Sequence, residues 1–402
     1  MNPRPLPLQG ITVIDLSHIY NGPYATFMMA MAGARVIKIE PPKGEWTRRR
    51  GVHGGSALAF AMFNANKDCV TLNLRSEAGK RVFFDMVNRG DVVVENFAPG
   101  AVERLGIDAD TVLEAHPNIV YASSSGYGQD GPYRDKPAMD LTVQAMSGIV
   151  SVTGHPHTPP VKAGAAVCDL LAGAHLFGAI MTALFERERT GLGRRVEVSM
   201  MEASYASLAS NLDKWWSSGG EAPERTGSRH GGLMEAPWNV YPTRDGWIAV
   251  ICLEDRHWTD LLQAMGRTDL IDDARFADQR TRVEHMDEVD SVVEAFTSQH
   301  SKAELDVIFR EYHAIVAPVR NLAELTSDPH LRARGFLREV DHPEYGRMTL
   351  PISPLRFAGS QPPQHICNGN LGAANREVYC NWLGLGRTEF ERLDAEGTFS
   401  AS

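Results

Sequence analysis

An α/β fold with a parallel sheet, followed by a smaller α+β domain, is predicted from three features of the sequence. Short segments rich in Val and Ile alternate with helix-like segments through the first half of the chain, the pattern of strand–helix–strand units. These strand segments are nearly continuously apolar rather than alternating, which is how strands read when both sheet faces are covered. Near residue 220 the pattern changes to a hairpin and a run of helices. The length, 402 residues, exceeds one ordinary core, so two domains are expected.

Taken in order, strands are expected at residues 11–16, 34–39, 69–74, 91–96, 119–123 and 195–199. Each is short and bounded by turn residues. Helices are expected at 24–32 and at 77–88, where Ser76 offers the capping oxygen. Two longer apolar helices are expected at 141–152 and 166–187. Residues 217–232 are rich in Gly, Ser and charge and read as a linker or exposed loop. Beyond them, 238–241 and 247–252 form a hairpin around Arg244-Asp245-Gly246. Helices follow at 255–265, 283–298 and 302–312, the last opened by a capping box of Ser301 and Glu304. The tail adds a strand near 348–350 and a helix near 375–383. The expected division is a large domain from 1–219, a small α+β domain from 220–323 and a C-terminal segment from 324–402.

Composition narrows the function classes. Charged residues make up 22% and the formal net charge is -10. The longest basic run is Arg48-Arg49-Arg50, which argues against broad nucleic-acid binding. The cysteines, Cys69, Cys168, Cys252, Cys367 and Cys380, are odd in number and widely spaced, so neither a disulfide framework nor a structural zinc site is expected. The proline-rich start lacks the apolar core of a signal peptide. The apolar stretch 170–185 contains His175 and is shorter than a membrane span, so a buried helix is expected. A soluble, cytoplasmic protein is the expectation.

A parallel sheet invites a nucleotide reading, but the turn after the first strand, Ser17-His18-Ile19-Tyr20-Asn21-Gly22-Pro23, lacks GxGxxG. The sequence contains no GxxxxGK[ST], HExxH or GxSxG. His155 and His157, two residues apart beside Pro156, suit an exposed loop better than a metal site. Chemistry without ATP, metal or flavin is therefore expected.

Asp169 is the most informative carboxylate. It lies in Val167-Cys168-Asp169-Leu170, at the entrance to an apolar helix. A charge in such surroundings is paired, capped or used. The helix terminus favours the ionised form, and an ionised, partly desolvated carboxylate is a nucleophile toward an activated acyl group. An ordinary N-cap is the alternative. His18 follows the first strand, where open parallel sheets place ligands; a surface histidine is the alternative. Asn96-Phe97-Ala98-Pro99-Gly100 ends the fourth strand at the equivalent edge, as a ligand contact or a turn. Arg75 and Arg104 lie near the same edge, as phosphate contacts or solvated charges. Trp215-Trp216 reads as packing or interface. Gly231-Gly232 permits a mobile lid or a turn.

At this point the chain resembles a family. It looks like the class III CoA-transferases of the CaiB/BaiF type, which include formyl-CoA transferase and carnitine CoA-transferase. The resemblance covers nearly the whole chain. Its marks are Asp15-Leu16-Ser17-His18 with Gly22-Pro23, the run from Gly33 to Pro42, Asn64-Ala65-Asn66-Lys67 and Val94-Glu95-Asn96-Phe97-Ala98-Pro99-Gly100. Gly126-Tyr127-Gly128-Gln129-Asp130-Gly131-Pro132, the Asp169 segment and Thr190-Gly191-Leu192-Gly193 complete the set. Each is weak alone; their order and spacing are specific.

The resemblance implies a Rossmann-like large domain, a small domain, a C-terminus returning to the large domain, and an interlocked homodimer. It implies acyl-CoA and a carboxylic acid as substrates, with no tightly bound cofactor or metal. Asp169 falls on the family's catalytic aspartate. CoA contacts carry over at His18, Arg75, Asn96, Phe97 and Arg104. Substrate contacts fall at Tyr20, Met139, Asp140, Gly231 and Gly232, the glycine pair being shorter than the run many members carry. The basic residue the family often shows just before Asp140 is Pro137 here, with Lys136 beside it. The formyl-CoA branch has Gln at Tyr20 and an aromatic at Met139, so a carboxylate larger than formate or oxalate is expected. An α-methylacyl-CoA racemase would use a histidine at Met139, and methionine cannot exchange a proton. An intramolecular CoA-transferase acting on a dicarboxylate would use the same Asp169 chemistry. A catalytically silent CoA-binding protein would bind CoA without forming a covalent adduct.

Overall fold

The computed structural model describes residues 3–50, 58–342, 346–361, 363–367 and 369–400. The chain forms two compact units, one of residues 1–143, 165–204 and 328–402, the other of residues 144–164 and 205–327. Residues 144–164 and 205–219 belong to the second unit, within which Gly148 lies against Leu208 and Arg225 Nη1 donates to the Ser151 carbonyl at 3.1 Å.

The first unit is built on six strands: β1 (Thr12–Asp15), β2 (Arg35–Glu40), β3 (Lys67–Thr71), β4 (Val92–Glu95), β5 (Val120–Ser125) and β6 (Arg195–Ser199). All are parallel, in the order β3-β2-β1-β4-β5-β6. This is the doubly wound order, in which the chain reverses its direction of travel across the sheet between β1 and β4. β1 sits at that point, with Val13 opposite Val36 on one side and Val92 on the other.

Alternate strand residues feed two cores. Ile14, Leu16, Ile37, Ile39, Val70 and Leu72 pack with Val82, Phe83 and Met86 of the helix Glu77–Val87. Val13, Val36, Val92, Val94, Val120 and Ala122 pack on the opposite face with Leu176, Ile180 and Ala183 of the helix Val167–Thr190. Covering both faces is what the continuous apolar strands required. The helix Val167–Thr190 is long and apolar enough to cross a membrane, yet this face of it is sheet core. Gly191, at φ 73, ends it in the left-handed conformation that glycine adopts freely.

Some elements differ from expectation for local reasons. The opening helix spans Asn21–Met31, three residues earlier than its apolar periodicity begins. Pro23 sits in its first turn, where no N–H is needed. The helix expected over 141–152 is two, Asp140–Met146 and Ile149–Val152, interrupted at Gly148 with φ 92. Short helices at Trp46–Arg49, Leu58–Asn64 and Ala101–Leu105 were below the length at which periodicity is readable.

The C-terminal segment returns to the sheet. Val378, Tyr379, Phe390, Leu393 and Phe399 join the core that contains Ile14 and Leu16. Tyr379 Oη donates to the Thr71 carbonyl at 2.9 Å, and Asn73 N–H donates to the Thr398 carbonyl at 2.8 Å. Its expected helix is a π-helical turn, Arg376–Trp382, and a further helix, Arg387–Ala395, follows. In the second unit β7 (Trp238–Thr243), β8 (Gly246–Ile251) and β9 (Ile315–Pro318) form an antiparallel sheet over Trp258, Leu261, Val289, Val293, Leu305 and Phe309. Within the first unit β10 (Leu337–His342) and β11 (Gly346–Pro351) pair antiparallel.

Candidate active site

The turn after β1 and the turn after β4 are adjacent at the reversal of strand order, where doubly wound sheets open a ligand crevice. His18 and Asn96 bridge it. The His18 N–H donates to Asn96 Oδ1 at 2.7 Å, and Asn96 Nδ2 donates to the His18 carbonyl at 2.9 Å. The His18 ring meets Phe97 edge-on with centroids 4.8 Å apart. Its Nδ1 lies 3.8 Å from Glu45 Oε2. Burial would raise the Glu45 carboxyl, but the nearby His18 ring, the charge of Lys38 and the Ile19 N–H hold it below its ordinary value.

Beneath this turn is a buried ionic base. Asp15, at the end of β1, accepts from Lys67 Nζ at 2.9 Å, Thr26 Oγ1 at 2.7 Å and the Ser17 N–H at 2.9 Å. Lys67 also donates to Asn64 Oδ1 at 2.9 Å, and Lys38 Nζ to the Ser17 carbonyl. Burial works to raise the Asp15 carboxyl, and Lys67, Lys38 and the hydroxyl donors outweigh it, leaving it well below the carboxylate range. Two of the motifs, Asp15-Leu16-Ser17-His18 and Asn64-Ala65-Asn66-Lys67, thus meet in space as one network that fixes the His18 turn.

A cavity of about 980 Å³ opens at the carboxyl ends of these strands. It is lined by His18, Arg75, Phe97 and Arg104, four of the five residues expected to contact CoA; the fifth, Asn96, holds the His18 backbone. Lys43, Arg49 and Lys80 also line it and were not singled out from the sequence, because local sequence does not show which surface cations converge. The lining combines cations with Pro41, Leu72 and Leu105, a chemistry suited to a ligand bearing both phosphates and an apolar body.

Asp169 is in the first turn of the helix Val167–Thr190 and is buried. It is not the cap: the N-cap position is Ala166, and the capping carboxylate is Asp140, whose Oδ1 accepts from the Cys168 N–H at 2.9 Å and the Asp169 N–H at 3.2 Å. Among the described residues none donates a hydrogen bond to the Asp169 carboxylate. Burial, and then the charge of Asp140, raise its carboxyl to about 7. The helix terminus was expected to favour ionisation; desolvation and a like charge outweigh it. The Val167 and Leu170 amides donate to Ala165 and Ala166 carbonyls, so the amides of the first turn are all engaged.

The Asp169 helix meets the opening helix closely. A Cβ on Gly173 would lie 2.5 Å from the Asn21 carbonyl oxygen. Gly173 is one turn beyond Asp169 on the same face, so the helix face that carries Asp169 packs against Asn21 and Tyr24. Tyr20 Oη accepts from Arg50 Nη1 at 2.8 Å, and its ring packs on Phe63. Met139 is 53% exposed and its backbone is tied to Thr142. Gly231 and Gly232 belong to the second unit, in a turn closed by the Leu233 N–H donating to the His230 carbonyl at 2.9 Å.

A model of CoA-transferase family III matches residues 8–370. The chain belongs to CoA-transferase family III. Among its family III relatives, the acetyl-CoA:oxalate CoA-transferase of Acetobacter aceti is 37% identical over 361 residues, 89% of this chain and 90% of that one. The formyl-CoA:oxalate CoA-transferase of Streptomyces coelicolor is 35% identical, covering 97% of this chain and 98% of its own. The crystal structure of a CaiB/BaiF family protein from Brucella suis superposes with a TM-score of 0.82 at 29% identity, over 94% of this chain and all of that one.

Proposed function

We propose that this family III enzyme moves CoA from an acyl-CoA to a carboxylic acid through covalent intermediates on Asp169. The observation that carries this reading is the Asp169 carboxylate itself. It is buried, unpartnered among the described residues and held by Asp140 and Gly173 in a fixed first turn. A carboxylate raised to about 7 is a stronger nucleophile than an ordinary one and is still ionised in good part at neutral pH.

The ionised Asp169 oxygen attacks the thioester carbonyl of the donor, and the C–S bond breaks to give an aspartyl–acyl anhydride and CoA thiolate. The thiolate attacks the aspartyl carbonyl of the anhydride, releasing the donor acid as its carboxylate and leaving an aspartyl–CoA thioester. The acceptor carboxylate attacks that thioester, forming a new anhydride and freeing thiolate. The thiolate attacks the acceptor acyl carbon, giving the new acyl-CoA and free Asp169. Thioester energy is conserved, so the sequence needs no nucleotide triphosphate. With the first-turn amides engaged, oxyanion donors must come from other groups; each such donor contributes about 3 kcal/mol. The cavity cations Arg75 and Arg104 suit the phosphates of CoA, and Phe97 and His18 its path toward the sheet edge. Two relatives transfer CoA to oxalate by name, which supports a dicarboxylic acid as one partner. Tyr20 and Met139 point to one larger than oxalate. Met139 has no exchangeable proton, which counts against racemisation.

The test is intact-protein mass spectrometry after brief exposure to a panel of acyl-CoAs, with hydroxylamine or borohydride trapping and peptide mapping. An adduct on the peptide containing Asp169 is expected. Asp169→Ala should lower transfer by roughly 10⁴-fold or more while retaining CoA binding. Measurable transfer by a clean preparation of that variant would sink the mechanism.

A further inference from the structure

The basic run Arg48-Arg49-Arg50 is divided by the fold among three tasks. Arg48 is committed to Glu40 by Nε and Nη2 at 2.8–3.1 Å, with its guanidinium over the Phe60 ring. Arg49 lines the cavity. Arg50 does neither. It is half-buried, its Nη1 donates to Tyr20 Oη at 2.8 Å, and its guanidinium lies over the Trp46 ring at 4.2 Å. No carboxylate among the described residues pairs with it, and the neighbouring stretch 51–57 contains no acidic residue.

A guanidinium held by an aromatic face and a phenol, but lacking an anion, is a prepared carboxylate receptor. Its location gives it a purpose. Tyr20 immediately precedes the opening helix, whose Asn21 carbonyl packs against Gly173, one turn from Asp169 on the same helix face. We propose that Arg50, positioned by Tyr20 and Trp46, binds the non-reacting carboxylate of a dicarboxylic acid while the other carboxyl is handled at Asp169. This rests on the Asp169 transfer reading and adds the residue that selects the substrate class. It also gives Tyr20 a role: it orients the cation rather than meeting the reacting atoms.

The experiment compares kcat/KM for succinate and glutarate with that for butyrate and pentanoate, using one acyl-CoA donor, in wild type, Arg50→Gln and Arg50→Lys. Adduct formation from acetyl-CoA, which has no second carboxylate, reports in the same samples whether fold and Asp169 chemistry survive. Wild type should prefer the dicarboxylates, and Arg50→Gln should lower the dicarboxylate-to-monocarboxylate ratio about 10- to 100-fold, with Arg50→Lys recovering part of it. An unchanged ratio with the adduct still forming overturns the Arg50 assignment alone. A rise in KM for acyl-CoA that is equal for every acid assigns Arg50 to CoA and also overturns it. Absence of any adduct in wild type removes the transfer reading beneath it, and the assignment with it.

Discussion

Asp169 is subject to opposing influences, and their balance sets its chemistry. The helix terminus favours the anion, while burial and the nearby Asp140 favour the acid and win, raising the carboxyl to about 7. On the proposed mechanism only the anion attacks, so transfer should rise as pH increases through about 7 and level off above it. Asp140→Asn retains a capping oxygen but removes the like charge. The acid limb of its pH–rate profile should shift to lower pH; an unmoved limb would mean that burial alone sets the value. The same raised carboxyl bears on stability. Between the ordinary carboxylate range and about 7 the folded chain holds a proton that the unfolded chain has lost, so this group's contribution falls as pH rises across that window. Asp169 and His18 are proposed as site residues because the family motif falls on them. Arg50 was not singled out, since a run of three arginines carries no sign of which one turns to Glu40 and which to Tyr20.

At the scale of the element, the geometry around Asp169 depends on how closely two helices approach. Gly173 allows the Asp169 helix to touch the backbone of the opening helix at Asn21, and a Cβ there would sit 2.5 Å from a carbonyl oxygen and 3.2 Å from the Tyr24 ring. Gly173→Ala should destabilise the protein by about 1–3 kcal/mol through overpacking, outweighing the ~1 kcal/mol that Ala gains over Gly in a helix. Urea unfolding would measure this, and a neutral or stabilising result would show that the helices separate without strain. The strands were readable because burial on both faces leaves a continuous Val/Ile signature, as in Val92–Glu95. The helix over 141–152 was misread as continuous because Gly148 interrupts an apolar run without interrupting its composition.

Across the first unit as a whole, the ligand crevice rests on buried charge. Lys67 and Asp15 lie on different strands and pair at 2.9 Å with neither exposed. Lys67→Met keeps the volume but removes the ion-pair partner of Asp15, leaving Lys38 and the hydroxyl donors to hold the buried anion, a change expected to destabilise by about 3 kcal/mol. Asp15 is held well below the carboxylate range, while burial pulls the Lys67 ammonium down to about 8, so the charged pair is fully present between that range and about 8 and is lost as pH falls below it. The deficit of Lys67→Met should accordingly be complete at neutral pH and narrow under acid. Chemical denaturation of both proteins at neutral and acidic pH would measure this; a deficit that does not change with pH would place the damage in packing rather than charge.

The parallel α/β class, the hairpin followed by helices and the family motif that contains Asp169 can all be read along the chain. Each of these is written in local periodicity or in contiguous residues. That Asp140 rather than Asp169 caps the helix emerges from packing, since capping partners twenty-nine residues apart leave no spacing to read. Packing also decides that Asp15 and Lys67 form one network, that Lys43, Arg49 and Lys80 face the same cavity as Arg75 and Arg104, and that Arg50 turns to Tyr20. Direction and desolvation are properties of the packed chain: they arise only when strand order brings distant turns to one edge of the sheet.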